Sequence, residues 1–336
     1  MINKIYEKIK SFIKYNYKFL IFLTVLIFLF YYEFPYIIYK SGGTIDLENR
    51  VIVDTKYTEK GSLSMSYVTA MKGTPAFLLL SYVMPDWDIY KMEEITGAGN
   101  DYDDVLEIGK EYLNEGIDNA IMSAFREAGY GLTINDTINK VMYISSEADT
   151  DILVGDRVIA INEEEVETLD EVKNYINTLE EDSKVEVKVI NDNKEYIRYA
   201  KIYRAEDNTL KIGISFKTTY DYETEIPVTV KMKDNESGSS GGLMMSLAIY
   251  NALTEEDITK GLNIVGTGSI NSDGIVEEIG GVKYKVLGAS KKGADIFLCP
   301  KENYEEAIAI KNKRDLDLEI VSVSTLSDAI NYLNNY

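Results

Sequence analysis

Glu236-Ser-Gly-Ser-Ser-Gly-Gly-Leu-Met-Met-Ser-Leu247 sets a run of serines and glycines directly against an apolar stretch with helical spacing. Leu243, Leu247, Ile249 and Tyr250 bury one side of the helix expected over Leu243–Leu253. Small residues ahead of a helix let the backbone approach a ligand closely. A helix N-terminus also offers free N–H groups and a partial positive charge. A serine placed there can attack a carbonyl while neighbouring N–H groups receive the oxyanion. The same residues also suit a loop that merely caps the helix, so the stretch needs support from elsewhere in the chain.

The C-terminal residues supply that support. Ile264–Ile270 reads as a strand and Asn271-Ser-Asp-Gly274 as a hairpin turn. A helix is expected over Val282–Lys291, a strand over Asp295–Leu298 stopped by Pro300, a helix over Glu302–Ile310, a strand over Leu318–Val323 and a last helix over Leu326–Leu333. This alternation predicts an α/β domain over 205–336. In the helix after Gly280-Gly281, Val282, Val286 and Ala289 define a buried stripe. Lys285 belongs with that stripe, whereas Lys283 is rotated away. A buried lysine loses charge because desolvation disfavours the ammonium. The neutral amine can then act as general base for a serine. A lysine snorkelling from the helix edge is the alternative.

Composition narrows the chemistry. The chain has 336 residues, 45% apolar and 27% charged, which suits two or three globular domains. The net charge of −21 makes nucleic acid a poor partner. Cys299 is the single cysteine, so no intrachain disulfide and no cysteine-based zinc site can form. Histidine is absent, which removes the Ser-His-Asp triad, the Cys-His dyad and His-ligated metals. A hydrolase built from this chain needs another base. No metal or other cofactor is expected, because the acidic runs at 101–104, 163–167 and 180–182 read as solvated faces or loops.

The N-terminus departs from the overall acidity. Lys4, Lys8, Lys10, Lys14 and Lys18 stand against Glu7 alone. An apolar run from Phe19 to Tyr32 comes next, is broken by Glu33 and resumes as Phe34-Pro-Tyr-Ile-Ile-Tyr39. We read residues 1–16 as a basic leader and 17–39 as a transmembrane anchor, with the N-terminus cytoplasmic by the positive-inside rule and the rest of the chain outside. A cleaved signal peptide is the rival, but bulky aromatics stand where a small-x-small cleavage site would be.

Residues 40–128 are expected to form a β-rich and helical region. Ser62–Thr69 alternates in polarity, and Ala76-Phe-Leu-Leu-Leu-Ser-Tyr-Val83 reads as a buried strand. A loop over 97–104 precedes a helix marked by Val105, Ile108, Tyr112, Ile117, Ala120, Ile121 and Ala124, ending at Ala128-Gly129. Residues 129–204 carry Leu153-Val-Gly-Asp-Arg-Val-Ile-Ala-Ile-Asn162, a Gly-Asp turn entering a strand, then a helix over Leu169–Leu179 and closing strands at Val185–Ile190 and Tyr196–Tyr203. This stretch resembles a PDZ domain. The resemblance implies peptide capture by strand addition beside the helix, although a spacer that binds no peptide has the same pattern. Gly129-Tyr-Gly131 is the nearest candidate for a carboxylate-binding loop.

Gly238-Ser-Ser-Gly-Gly-Leu-Met244, Gly266-Thr-Gly-Ser-Ile270, Asp273-Gly-Ile-Val-Glu-Glu-Ile-Gly-Gly281, Lys285 and Gly293-Ala-Asp-Ile-Phe-Leu-Cys-Pro-Lys301 stand in the order and spacing of the Lon protease proteolytic domain. The chain as a whole resembles the membrane-anchored Lon-like PDZ proteases of Gram-positive bacteria. By position, the resemblance implies Ser240 as nucleophile, Lys285 as base and Thr267 as the residue that positions the lysine. N–H groups around Gly241 and Gly242 are the expected oxyanion donors. The family usually reads Pro-Ser-Ala-Gly around its nucleophile; here Ser239-Ser240-Gly241-Gly242 stands instead, which should loosen the loop.

The expected architecture is therefore an α/β Lon-type proteolytic domain, a PDZ-like α+β domain and one N-terminal transmembrane helix. The expected function is ATP-independent cleavage of unfolded or PDZ-presented proteins outside the cytoplasmic membrane, since no Gly-x4-Gly-Lys-Ser/Thr phosphate loop occurs. Its partners would be protein or peptide substrates, the membrane and, by resemblance, further copies of the chain. The alternative is a membrane-tethered binding scaffold that keeps the fold with little or no activity.

Overall fold

The computed structural model describes residues 2–54, 57, 60–96, 102–145, 147–166, 169–191, 193–205 and 208–336. Helix α1 (Ile2–Tyr31) leads into β1 (Phe34–Asp46), β2 (Val51–Val53) and β3 (Ser62–Gly73). Helix α2 (Pro75–Ser81), strand β4 (Asp88–Lys91), the short α3 (Met92–Thr96) and the long α4 (Tyr102–Ala128) come next. The middle of the chain holds β5 (Leu132–Ile144), β6 (Arg157–Ile161), β7 (Glu164–Glu165), α5 (Leu169–Ile176), β8 (Lys184–Asn191), β9 (Lys194–Lys201), β10 (Tyr203–Arg204), β11 (Leu210–Lys211) and β12 (Ile214–Thr224). Then come β13 (Val228–Val230), α6 (Gly242–Leu253), β14 (Asn263–Gly266), β15 (Ser269–Ile270) and β16 (Val276–Glu277). The chain closes with α7 (Val282–Lys291), β17 (Ile296–Pro300), α8 (Tyr304–Arg314), β18 (Glu319–Val323) and α9 (Leu326–Asn335).

The principal sheet runs β18-β17-β14-β3-β1-β4. Its β18, β17, β14 and β3 are parallel, and β1 is antiparallel to both β3 and β4. Both faces are covered, which is why β17 is buried along its whole length and reads as an unbroken apolar run. Ile296 and Leu298 join a core with α4, α6 and α9, while Phe297 and Cys299 face α7 and α8. Helix α6 is buried on almost every side because it lies inside that first core. Helix α9 starts with a reciprocal cap between Thr325 and Asp328.

A second sheet, β12-β5-β6-β8-β9 with β7 beside β6, holds its own core of Val141, Val158, Ile161, Val187 and Ile202 under α5. This is the PDZ-like part. It extends beyond the expected end at 204, because β12 pairs with β5 from Ile214 to Thr224. That partner is about eighty residues distant in sequence, a separation that local patterning does not register.

Other expectations are corrected as well. Residues 34–39 do not continue a membrane span: α1 ends at Tyr31, and Ile37 and Ile38 are buried within β1. The lysine-rich residues of the expected leader are helical and continuous with the apolar part of α1. The sequence leaves open whether residues 40–128 stand apart or join the C-terminal α/β part; in the structure β3 pairs with β14 in the principal sheet. Residues 76–83 are not a buried strand: Pro75 opens helix α2 after an extended Thr74, and much of its apolar surface is exposed. The loop expected at 97–104 lies largely outside the described residues, and α4 already begins at Tyr102.

Helix α4 joins the two sheets. Glu111 pairs with Lys140 of β5 at 2.5 Å and Glu115 with Lys217 of β12 at 2.7 Å. Tyr222 of β12 donates to Asp118 Oδ1 at 2.9 Å. Burial pushes the Asp118 carboxyl up to about 6, against the opposing pull of Tyr222 and Lys140. Since this lies above the ordinary 3.8, the contribution of Asp118 to stability is fully present below that value and is lost as pH rises through about 6. Asp118→Asn keeps an acceptor for Tyr222 and removes the charge. We expect the variant to be more stable at pH 7.5 by about 1–2 kcal/mol, allowing for partial exposure, and to converge with the parent near pH 4 in denaturant unfolding.

Candidate active site

The serine–glycine run ends at α6, whose N-cap is Gly241 with φ −90° and ψ −6°. Ser240 is half-buried at this entrance. Thr267 comes directly after the end of β14 and is fully buried. Helix α7 turns Lys285 toward it. The lysine is only 3% exposed, and its Nζ donates to Thr267 Oγ1 at 3.1 Å. The threonine hydroxyl donates in turn to the Ser240 carbonyl at 3.0 Å, and the Gly268 N–H reaches the same oxygen at 2.8 Å. The structure thus brings Ser240, Thr267 and Lys285 together from three separate elements. Lys283 points elsewhere and pairs with Asp88 at 2.5 Å.

Burial pulls Lys285 down to about 7. At neutral pH a substantial share of its amine is therefore uncharged and able to accept a proton. The single hydroxyl of Thr267 bridges the lysine and the backbone of the serine. One expectation is corrected here. The Gly242 N–H is engaged with the Ser239 carbonyl at 2.9 Å, because α6 begins with a tight turn, so Gly242 is not a free oxyanion donor. The Gly241 N–H is left as the candidate.

The loop before Ser240 is tied to its surroundings by several hydrogen bonds. Ser239 Oγ hydrogen-bonds Ser269 Oγ at 2.7 Å. Glu236 takes a two-pronged ion pair from Arg50, with bonds of 2.8 and 3.1 Å. The Gly238 N–H donates to Gly109 of α4 at 2.7 Å. A Cβ at Gly241 would stand 2.5 Å from Met65 Sδ of β3, so a larger residue there would require the methionine side chain to move. Gly116 of α4 lies against Ser239, where a Cβ would come within 3.1 Å of the serine Cα. Arg50, Met65, Gly109 and Gly116 were not anticipated from the sequence. The last two carried a usable signal, being glycines two turns apart inside a helical pattern that glycine weakens.

A groove of about 660 Å³ lies between α5 and the start of β12, lined by Val172, Ile176, Ile212, Gly213, Ile214 and Phe216. Strand β12 is the terminal strand of its sheet among the described residues. Gly213 has φ +75°, and a Cβ there would meet Ala148 Cβ at 2.5 Å. Gly129-Tyr-Gly131 is not at this groove. It forms the corner between α4 and β5, where the Gly131 N–H donates to Glu225. Among the described residues no group of acidic or sulfur side chains is arranged to hold a metal ion.

Comparison with known proteins gives two family matches. The Lon protease (S16) C-terminal proteolytic domain matches residues 181–334, and the PDZ domain matches residues 120–196. The Lon protease of Campylobacter concisus (strain 13826) is 31% identical over 147 residues, which is 43% of this chain and 18% of that protein. Lon protease 1 of Bacillus subtilis (strain 168) is 30% identical over 129 residues, 38% of this chain and 16% of that one. The chain spans less than a fifth of the length of these relatives. The PDZ domain of an SdrC-like protein from Listeria monocytogenes aligns with 25% of this chain and 90% of its own, at 19% identity and a TM-score of 0.22. The proteolytic-domain match begins inside the second sheet, at β8 and β9, so sequence similarity and sheet membership divide the chain differently. With the Ser240, Thr267 and Lys285 cluster inside the matched region, the chain carries a proteolytic domain of the Lon protease (S16) family, joined to a PDZ domain.

Proposed function

We propose that the protein is an ATP-independent, membrane-anchored serine endopeptidase with a Ser240–Lys285 dyad. The observation that carries this reading is the buried Lys285 amine, linked through Thr267 to the backbone of Ser240. In this mechanism neutral Lys285 takes the Ser240 hydroxyl proton as Oγ attacks the scissile carbonyl. The oxyanion forms beside the Gly241 N–H. The intermediate then collapses, the lysine gives its proton to the leaving amine, and an ester on Ser240 remains. Water, deprotonated by the same lysine, releases the second product and restores the hydroxyl.

Helix α1 is long and apolar enough to cross a membrane. Its lysine-rich start supports a cytoplasmic N-terminus, with the protease outside. The groove beside β12 suits an extended peptide adding to the sheet edge, either a substrate or a regulatory partner. Assembly into a homo-oligomer rests on the resemblance alone.

The full chain in detergent, incubated with an unfolded protein and no ATP, should cleave it. Ser240→Ala should lower turnover at least about a thousandfold and abolish labelling by a serine-reactive probe, while Ser239→Ala keeps the label. Labelling lost only in Ser239→Ala would move the nucleophile. Absence of both cleavage and label in the parent would favour the scaffold reading, which the engaged Gly242 N–H makes worth testing.

A further inference from the structure

We propose that α2 and the turn after it form an apolar shelf that lies in the lipid headgroup region, beside the point where α1 leaves the bilayer. The inference rests on α1 being a retained span. It adds a second membrane contact, made by the folded protease itself.

The shelf is dense. Within six residues, Leu79 is 64% exposed, Tyr82 84% and Val83 78%, with Leu80 and Met84 also exposed. Apolar side chains scattered singly on a surface need no explanation, but a contiguous group of this size marks an interaction site.

Its place in the fold selects the occupant. Phe34, the first residue of β1, pairs with Gly73, the last of β3. The chain therefore leaves α1 and enters α2 at one corner of the sheet. Glu33 and Lys72 form an ion pair at 3.2 Å across that corner, and α2 packs against α1. If α1 spans a bilayer, α2 sits at its surface. The turn is also held against the protease, with Asp86 paired to Arg314 of α8 and Asp88 to Lys283 of α7. Those carboxylates are thereby neutralised on the protein side, and the apolar side chains are the ones left facing outward.

The aromatics agree with an interfacial depth. Tyr31 and Tyr32 stand exposed at the end of α1. Tyr82 is on the shelf, and Trp87 closes the turn, with its ring near Phe77 and Lys40 Nζ 4.7 Å from its centroid. Tyrosine and tryptophan are enriched at this level because one end of each ring system is apolar and the other is wet. A short amphipathic element of this kind binds by burying its apolar side chains into the headgroup boundary.

Trp87 is the only tryptophan in the sequence, so the protein carries its own depth probe. The full chain is reconstituted into phosphatidylcholine vesicles brominated either near the headgroup or near the chain end. Alkaline carbonate extraction is measured in parallel. We expect the protein to resist extraction and Trp87 emission to fall roughly twofold with shallow bromines but much less with deep ones. Replacing Leu79, Tyr82 and Val83 by glutamate should remove the shallow quenching and leave resistance to extraction intact. Resistant protein with an unquenched Trp87 overturns the shelf while the span stands, whether the patch faces water or a second copy of the chain. Extraction by carbonate overturns the span, and the shelf with it.

Discussion

Lys285→Met is expected to abolish peptide cleavage and, in the same protein, to raise stability. The lysine is 3% exposed, and Thr267 Oγ1 accepts from its Nζ. Burial alone brings it from 10.5 to about 7. Between those two values the unfolded chain holds a proton that the folded chain has released, so stability rises with pH across that window. Below about 7 the folded protein must bury a charged ammonium, and the cost is at its largest. Methionine fills nearly the same volume without that cost, and the threonine hydroxyl keeps its bond to the Ser240 carbonyl. The variant should be more stable at pH 6 by on the order of 2–4 kcal/mol, and the gap should narrow by about 2–3 kcal/mol at pH 9. Urea unfolding of both proteins at the two pH values tests this. Cleavage by the parent should rise with pH to a plateau above about 7, because the free amine is the active form. A variant less stable at pH 6, or one that still cleaves, would show that the amine is neither buried at a cost nor the base.

The contrast between the features the sequence revealed and those it hid has a physical pattern. Strand β14, helices α6 and α7, and β17 were legible because each is defined by short-range features. An unbroken apolar run marks β17, and Gly281 with φ +73° opens α7. Lys285 has a local signal, its place beside the apolar stripe Val282, Val286 and Ala289, whereas the choice of Ser240 and Thr267 rests on the resemblance. The hidden features depend on contacts between distant residues. The apolar run Phe34–Tyr39 is as hydrophobic as a membrane segment, and only pairing with β3 and β4 makes it a core strand. Residues 76–83 are apolar enough for a buried strand, and Pro75 and their exposed face make them a helix. The groove does lie beside the expected helix, but Gly213 and β12, which also line it, come after the point where the local pattern closes, and Gly129-Tyr-Gly131 lies elsewhere. The state of the Gly242 N–H is a matter of one local hydrogen bond, which residue type does not specify.

Gly116→Val is expected to lower turnover by roughly a hundredfold without unfolding the protein, since displacing a reacting group by about 1 Å can cost that much. Gly116 is buried on α4 and does not touch the dyad. A Cβ at this position would lie 3.1 Å from Ser239 Cα and 3.3 Å from its carbonyl oxygen, and valine adds two methyl groups beyond it. The helix is the stiffer partner, being packed on α6 through Ser123 and Ser246, whose hydroxyls meet at 3.1 Å. The loop is therefore the part that yields. Ser239 is bonded to Ser269, and its carbonyl holds the Gly242 N–H, so moving it shifts both sides of Ser240. Gly116 does not line the groove beside β12, so the loss should appear in kcat with little change in KM. Gly280→Ala is the control, because a Cβ there meets nothing within 4 Å and Gly280 is exposed. The same helix meets the PDZ sheet through Glu111, Glu115 and Asp118. If Gly116→Val turned over as fast as Gly280→Ala, the loop would be held by Ser269 and Arg50 alone, and α4 would be only a wall of the core.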